Sequence, residues 1–271
     1  MNNKPLSSIS TKGVSLADST SGWRANANFL LPTNYELQFE AIRSLLQDHE
    51  KNENELQARI EELERKIEAS PPETEIVPII QRIDCLESSV FLHAAHSMSA
   101  LGALAPFFES LFHTLFLQIK PYFEGNGNPH DRWKQASDDA WDCHFHWVKG
   151  KRNKGIVEGI RQLSQATDFE KYLPVGYDEP LQALFAYRNK MFHCGFEWSE
   201  SEKKKFQKMI TDHQWYPTWF ECSKSGGEPW IYYMSSPFIE RLLELIDEIL
   251  QAVGRYTGEV IRVKSNENHG V

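Results

Sequence analysis

Between about Tyr35 and Ser70 the apolar residues Phe39, Ile42, Leu46, Leu56, Ile60, Leu63 and Ile67 recur in a field of Glu, Gln, Lys and Arg, with no Gly or Pro among them. This heptad spacing predicts a coiled-coil helix. In its register Arg59 falls at a g position and Glu64 at the following e position, so a parallel second copy would pair them across the seam. His49 and Glu53 occupy d and a positions and interrupt that seam. A single amphipathic helix lying on its own domain satisfies the same pattern. The run Ser70-Pro71-Pro72-Glu73 ends the helix and marks a boundary.

Beyond it, Ile76 to Tyr122 predicts one or two long helices, with a break near Gly102 or Pro106. Gly125-Asn126-Gly127-Asn128-Pro129 has loop composition, and Asp138 to Gln165 predicts further helix interrupted at Gly150 to Gly155. Leu181 to Cys194 predicts a short helix capped by Gly195, and Ser199 with Glu202 forms a capping-box signal for a helix to Asp212. Thr218 to Cys222 and Trp230 to Met234 alternate on either side of Ser225-Gly226-Gly227, which predicts a β-hairpin. Pro237 opens a helix to Tyr256 with Phe238, Leu242, Leu245, Ile246, Ile249 and Val253 on one face. The expected organisation is a flexible tail over 1–33, a coiled-coil helix over 34–72, a helical domain over 73–258 with the hairpin near 217–234, and a C-terminal tail over 259–271. The fold class is mainly α.

Composition narrows the function classes. A chain of 271 residues with 41% hydrophobic content can bury a substantial core. Its formal charge of -9 argues against a protein that coats nucleic acid, so any RNA contact must be local. Cys85, Cys143, Cys194 and Cys222 are widely spaced and follow no secretion signal, which favours reduced thiols and a cytoplasmic location. The most apolar stretch, Val90 to Ile119, contains His93, His96, Glu109 and His113, each costly in lipid, and is expected to be a core helix and not a membrane span.

The chemistry concentrates at Tyr187-Arg188-Asn189-Lys190-Met191-Phe192-His193. Asn189 and His193 are four residues apart and share one side of a helix. Arg188 lies about 140° round from His193 on an ideal helix, within reach for a long side chain. RNA transesterification needs only a proton acceptor and donor, a stabiliser of phosphate charge and an orienting group, because the ribose 2′-OH is itself the nucleophile. His193 suits the acid–base role, Arg188 the phosphate clamp, and Asn189 the orientation of either.

The pattern Arg188-Asn189-x-x-x-His193, preceded by Leu184-Phe185-Ala186-Tyr187 and followed by Gly195-Phe196-Glu197-Trp198, resembles the Arg-polar-x-x-x-His signature of the HEPN superfamily. The likeness covers residues 76–256 in architecture and this motif in detail. It implies a compact helical bundle that dimerises so that two motifs face each other and cleave RNA without a metal, leaving a 2′,3′-cyclic phosphate and a 5′-hydroxyl. It also implies a toxin or anti-phage defence effector, with an antitoxin or sensor protein as a further partner. The coiled-coil helix and the hairpin lie outside the family's common core.

Lys190 and the basic cluster Lys149, Lys151, Arg152 and Lys154 are candidates for RNA phosphates, with solvated loop charge as the alternative. Trp215, Tyr216, Trp219, Trp230, Tyr232 and Tyr233 suit either base stacking or packing of the hairpin on a helix. Cys143-x-x-His146 with His144 suggests zinc but lacks a second ligand pair, so no metal and no cofactor is assigned. Two other function classes compete with the nuclease: a non-catalytic dimeric scaffold that holds RNA, nucleotide or protein, and a metal-dependent hydrolase built from scattered His and acidic residues.

Overall fold

The computed structural model describes residues 21–69, 76–123, 131–134 and 138–269. Its elements in chain order are α1 (Ser21–Leu30), α2 (Tyr35–Ala69), α3 (Ile76–Phe123), the antiparallel pair β1 (Phe145–Val148) and β2 (Lys151–Lys154), α4 (Ile156–Ala166), α5 (Asp178–Cys194), α6 (Glu200–Asp212), a second antiparallel pair β3 (Phe220–Ser225) and β4 (Glu228–Met234), α7 (Ser236–Tyr256) and α8 (Arg262–His269). The mainly helical class is as the sequence predicts. The loop expected at 125–129 lies outside the described residues.

The long apolar run forms one helix, α3, with no break at Gly102 or Pro106. Pro106 removes one intrahelical hydrogen bond, but it faces outward while Leu104, Ala105, Phe107 and Phe108 beside it are buried. Tertiary packing therefore carries the helix through. It is the one described helix long and apolar enough to cross a membrane, and more than half of its most apolar window is buried inside the protein. Leu101, Phe108, Leu111, Phe112, Leu115 and Phe116 form the centre of the core, against Leu242, Leu245, Ile246 and Ile249 of α7 and Leu181 and Leu184 of α5.

The predicted coiled-coil helix forms as α2, and its seam is filled from within the chain. Phe39 and Leu46 join the main core, while Ile60 and Leu63 close on Cys85 of α3. Tyr35 donates its hydroxyl proton toward the Ser110 carbonyl at 2.9 Å. Glu64 accepts two hydrogen bonds from Arg82 of the same chain, at 2.9 and 2.7 Å, in place of Arg59 from a second copy. The amphipathic alternative thus describes this helix, because α3 offers an antiparallel apolar partner without the entropy cost of association.

Three further expectations are corrected. Residues 21–31 of the expected N-terminal tail form α1 and its exit, with Ala27, Leu30 and Leu31 buried against the core. Residues 259–269 of the expected C-terminal tail instead continue from α7 through one π turn (Thr257–Ile261) into α8, with Ile261 buried. The helix expected over 138–149 is replaced by a 3-10 turn at Asp138–Trp141 and the first strand of the β1–β2 hairpin. Lys149 (φ 51) and Gly150 (φ 76) both take left-handed backbone, the two-residue turn that joins twisted antiparallel strands.

The hairpin near 217–234 forms as predicted. Its aromatic residues pack inward: Trp215, Trp219 and Tyr232 are buried, with Tyr232 stacked on Trp198 at 5.6 Å and Trp219 on Phe238 at 4.7 Å. Trp230 meets Phe91 of α3 edge-on at 5.3 Å, and Tyr233 stacks on His93 at 4.9 Å. Tyr216 is exposed.

Candidate functional site

Asp178 and Glu179 complement the N-terminal dipole of α5, and Pro180 sits in its first turn, where a missing N–H costs nothing. Gly195 ends the helix at φ 70, its N–H donating to the Met191 carbonyl at 2.9 Å. Leu181, Leu184, Tyr187 and Met191 are buried on the core side, and the Tyr187 hydroxyl donates to the Tyr232 carbonyl at 2.8 Å. Anchored this way, the helix carries Arg188 half-buried and Asn189 exposed at the rim of an open pocket of about 560 Å³.

Four elements line that pocket. α3 supplies Glu109, the segment before β1 supplies Asp142 and His144 with Phe145 next to them, the junction of β2 with α4 supplies Lys154, Gly155 and Ile156, and α5 supplies Arg188 and Asn189. Two carboxylates thus face two fixed cations. The Arg188 guanidinium donates to Glu109 at 3.1 Å and lies 5.9 Å from the Phe185 ring centre and 6.0 Å from that of Phe192. Phe192 is exposed, so it shields the guanidinium from outside and not from the core.

His193 is exposed in the last turn of α5 and does not line the pocket. The imidazole inside it is His144, which sequence reasoning considered only as a metal donor. His144 Nδ1 lies 2.7 Å from Asp142 Oδ1, and the His144 backbone N–H donates to the same oxygen at 2.9 Å. Partial burial pushes the Asp142 carboxyl upward, but these two hydrogen bonds together with the electrostatic pull of the His144 and His113 rings hold the group below the usual carboxylate range.

The segment carrying Asp142 and His144 is held from below. Arg132 is almost wholly buried, and its guanidinium donates to the carbonyls of Ala140, Asp142 (2.5 Å) and Phe145 (2.8 Å) while lying over the Trp147 ring at 4.6 Å. Burial lowers its pKa to about 10, which still leaves it charged near neutrality. Gly159 of α4 touches the same segment: a Cβ there would sit 1.9 Å from the Cys143 carbonyl oxygen. Cys143 is fully buried, and desolvation, reinforced by Asp142, pushes its thiol up to about 12, so it is no nucleophile near neutral pH.

The other basic candidates divide. Lys154 lines the pocket, and Lys149 and Lys151 are exposed on the hairpin. Arg152 pairs with Asp139 and covers the Phe145 ring at 4.5 Å. The Lys190 ammonium is engaged by Glu202 of α6, which takes it out of the set available to phosphate.

Comparison with protein-family models, with curated proteins and with solved structures finds no match to this chain.

Proposed function

We propose that the chain is an endoribonuclease of the HEPN type that cleaves RNA by 2′-OH transesterification, acting in the cytoplasm as a toxin or anti-phage defence effector. The observation that carries it is the placement of Arg188 and Asn189 together at the mouth of an open pocket, one helical turn before an exposed His193. In this reading Arg188 exchanges Glu109 for two non-bridging phosphate oxygens and stabilises the charge that develops at phosphorus. The 2′-oxygen attacks phosphorus, the 5′-oxygen departs, and His193 moves the proton that leaves the first or reaches the second. Asn189 orients the imidazole or a phosphate oxygen. The products are a 2′,3′-cyclic phosphate and a 5′-hydroxyl, and the step consumes no water and calls on no ion. Lys154 at the pocket and Lys149 and Lys151 on the hairpin supply the local positive field that an acidic chain otherwise lacks.

One motif offers one imidazole where the reaction uses both a base and an acid, so the proposal includes a homodimer that sets two motifs opposite each other. A face suited to it is exposed on α3. Ile76, Ile79, Ile83, Leu86 and Val90 follow one another at alternating spacings of three and four, and the first four are among the exposed large hydrophobic residues. With Ile76, Ile83 and Val90 at a positions and Ile79 and Leu86 at d, the stripe suits a parallel seam, which keeps both α5 helices at the same end of the assembly. An antitoxin or sensor protein is the further partner expected of such an effector.

The test is product analysis on a single-stranded RNA. Cleavage leaving cyclic phosphate ends, lost in Arg188→Ala and His193→Ala variants that keep wild-type circular dichroism and melting, supports the proposal. A correctly folded wild-type dimer that leaves RNA intact, or ends bearing 3′-hydroxyl and 5′-phosphate groups, overturns it.

A further inference from the structure

In the wall of the pocket, His113 of α3 meets the consecutive residues Asp142, Cys143 and His144, and one nitrogen, oxygen or sulfur atom from each lies within 4.8 Å of the others. We propose that these four residues bind one divalent ion of the zinc class. The proposal is independent of the nuclease reading.

The donor chemistry selects the metal. Two imidazoles, a thiolate and a carboxylate suit zinc, whereas magnesium and calcium take oxygen donors. Bonds of about 2.0–2.3 Å to a tetrahedral ion put neighbouring donors about 3.3–3.8 Å apart, so the cluster needs to contract by roughly 1 Å. Two of its distances already bracket that range: His144 Nδ1 to Asp142 Oδ1 at 2.7 Å and His113 Nδ1 to Asp142 Oδ1 at 3.9 Å. His113 Nδ1 is sealed from solvent and has no hydrogen-bond partner, a state that costs free energy unless something occupies the space before it.

The surroundings hold the donors in place. Arg132 fixes the carbonyls of Ala140, Asp142 and Phe145 on both sides of Cys143. Gly159 lets α4 back directly onto the Cys143 carbonyl. These are the outer contacts that set the direction of metal ligands. The sequence hint Cys143-x-x-His146 fails for His146, whose ring packs against Gly155, and is replaced by His113 from a distant helix.

With four protein donors the ion has no open position, so it ties α3 to the segment walling the pocket and is not a Lewis acid for the reaction. Binding breaks the Cys143 S–H bond, forms a sulfur–metal bond and releases the proton to solvent.

The experiment uses the untagged full chain, stripped of metal and titrated with Co²⁺ and then Zn²⁺. One equivalent of Co²⁺ is expected to give a thiolate-to-cobalt charge-transfer band with intense tetrahedral ligand-field bands, and Zn²⁺ to displace it and raise the melting temperature. Cys143→Ser should abolish the charge-transfer band. As Cys143 is buried and its variant can fail to fold, His113→Ala and His144→Ala, both at half-exposed positions, should each weaken Co²⁺ binding by at least the roughly 10–100-fold lost with an outer-shell partner. A folded wild-type chain with no band at one equivalent, or a band of unchanged affinity in both histidine variants, overturns the site. Neither result bears on RNA cleavage, which the Arg188 and His193 variants address.

Discussion

Arg188 of α5 and Glu109 of α3 hold each other across the mouth of the pocket at 3.1 Å, each half-buried. A phosphate entering the pocket competes with Glu109 for the guanidinium. A partly exposed pair of this kind is worth about 0.2–1 kcal/mol, so Glu109→Gln should tighten binding of a single-stranded RNA by about 1.4- to fivefold, measured in a His193→Ala background to prevent cleavage. Arg188→Ala in the same background should flatten the salt dependence by about one released counterion. Arg188→Ala alone should lower the cleavage rate by about 10²–10³, the scale of losing one preorganised stabiliser of developing charge. Unchanged or weaker RNA binding by Glu109→Gln would show that Arg188 does not meet the phosphate.

Gly159 and Gly102 give opposite results for the same substitution. A Cβ on Gly159 would stand 1.9 Å from the Cys143 carbonyl oxygen and 2.8 Å from that of Phe145, both backbone atoms, the second also held by Arg132. Gly159→Ala must therefore push α4 off the pocket segment, at a cost of about 3 kcal/mol or more. Gly102 lies within α3 with nothing inside 4 Å of an added Cβ, so Gly102→Ala should stabilise by about 0.5–1 kcal/mol through helix propensity. Urea denaturation of both variants checks the pair, and a well-tolerated Gly159→Ala would mean that the segment is free to shift.

These two glycines also show what could be read in advance. Signals that act over one turn were legible: the Gly195 cap, the Ser199 cap that accepts from the Glu202 N–H at 3.4 Å, and the apolar face of α7. Relationships set by distant packing were not. Heptad spacing in α2 fixes an apolar stripe but not whether α3 or a second copy covers it. Lys149-Gly150 read as part of a basic cluster, although its left-handed backbone is what folds β1 onto β2. The polar N-terminal segment hid α1 because Ala27, Leu30 and Leu31 suffice to dock a short helix. At the site, Arg188 and Asn189 were legible as neighbours in one motif. Glu109, Asp142, His144 and His113 were not, since three-dimensional proximity alone assembles them.

Glu202 joins α5 to α6 through Lys190 and also takes Lys205 of its own helix. Hydrogen bonds from Lys190 and then Lys205 lower its pKa from 4.5 to about 2. A carboxyl whose folded value is depressed contributes stability that is fully present above its unfolded pKa and is lost as pH falls through the folded one. The difference in melting temperature between wild type and Glu202→Gln should therefore be constant above about pH 5, shrink as pH falls from 4.5, and vanish near pH 2. A difference independent of pH across this window would mean that the carboxylate is not held by the two lysines.

The exposed stripe on α3 allows the two-copy requirement to be tested without touching the pocket. Val90 and Glu109 are separated by about 28 Å along the helix axis, so charges placed on the stripe act on Arg188 only through association. Ile79 and Ile83 are both exposed, and Lys at either position costs the single chain little while placing like charges against each other in a parallel seam. The double variant Ile79→Lys, Ile83→Lys should sediment as a monomer, melt close to the wild type and lose RNA cleavage. Mixing excess His193→Ala chains with wild-type chains should lower the wild-type activity, because each mixed pair carries one imidazole where the step uses two, and should leave it unchanged when the His193→Ala chains carry the lysines. A monomeric variant with full activity would place the complete acid–base set within one chain.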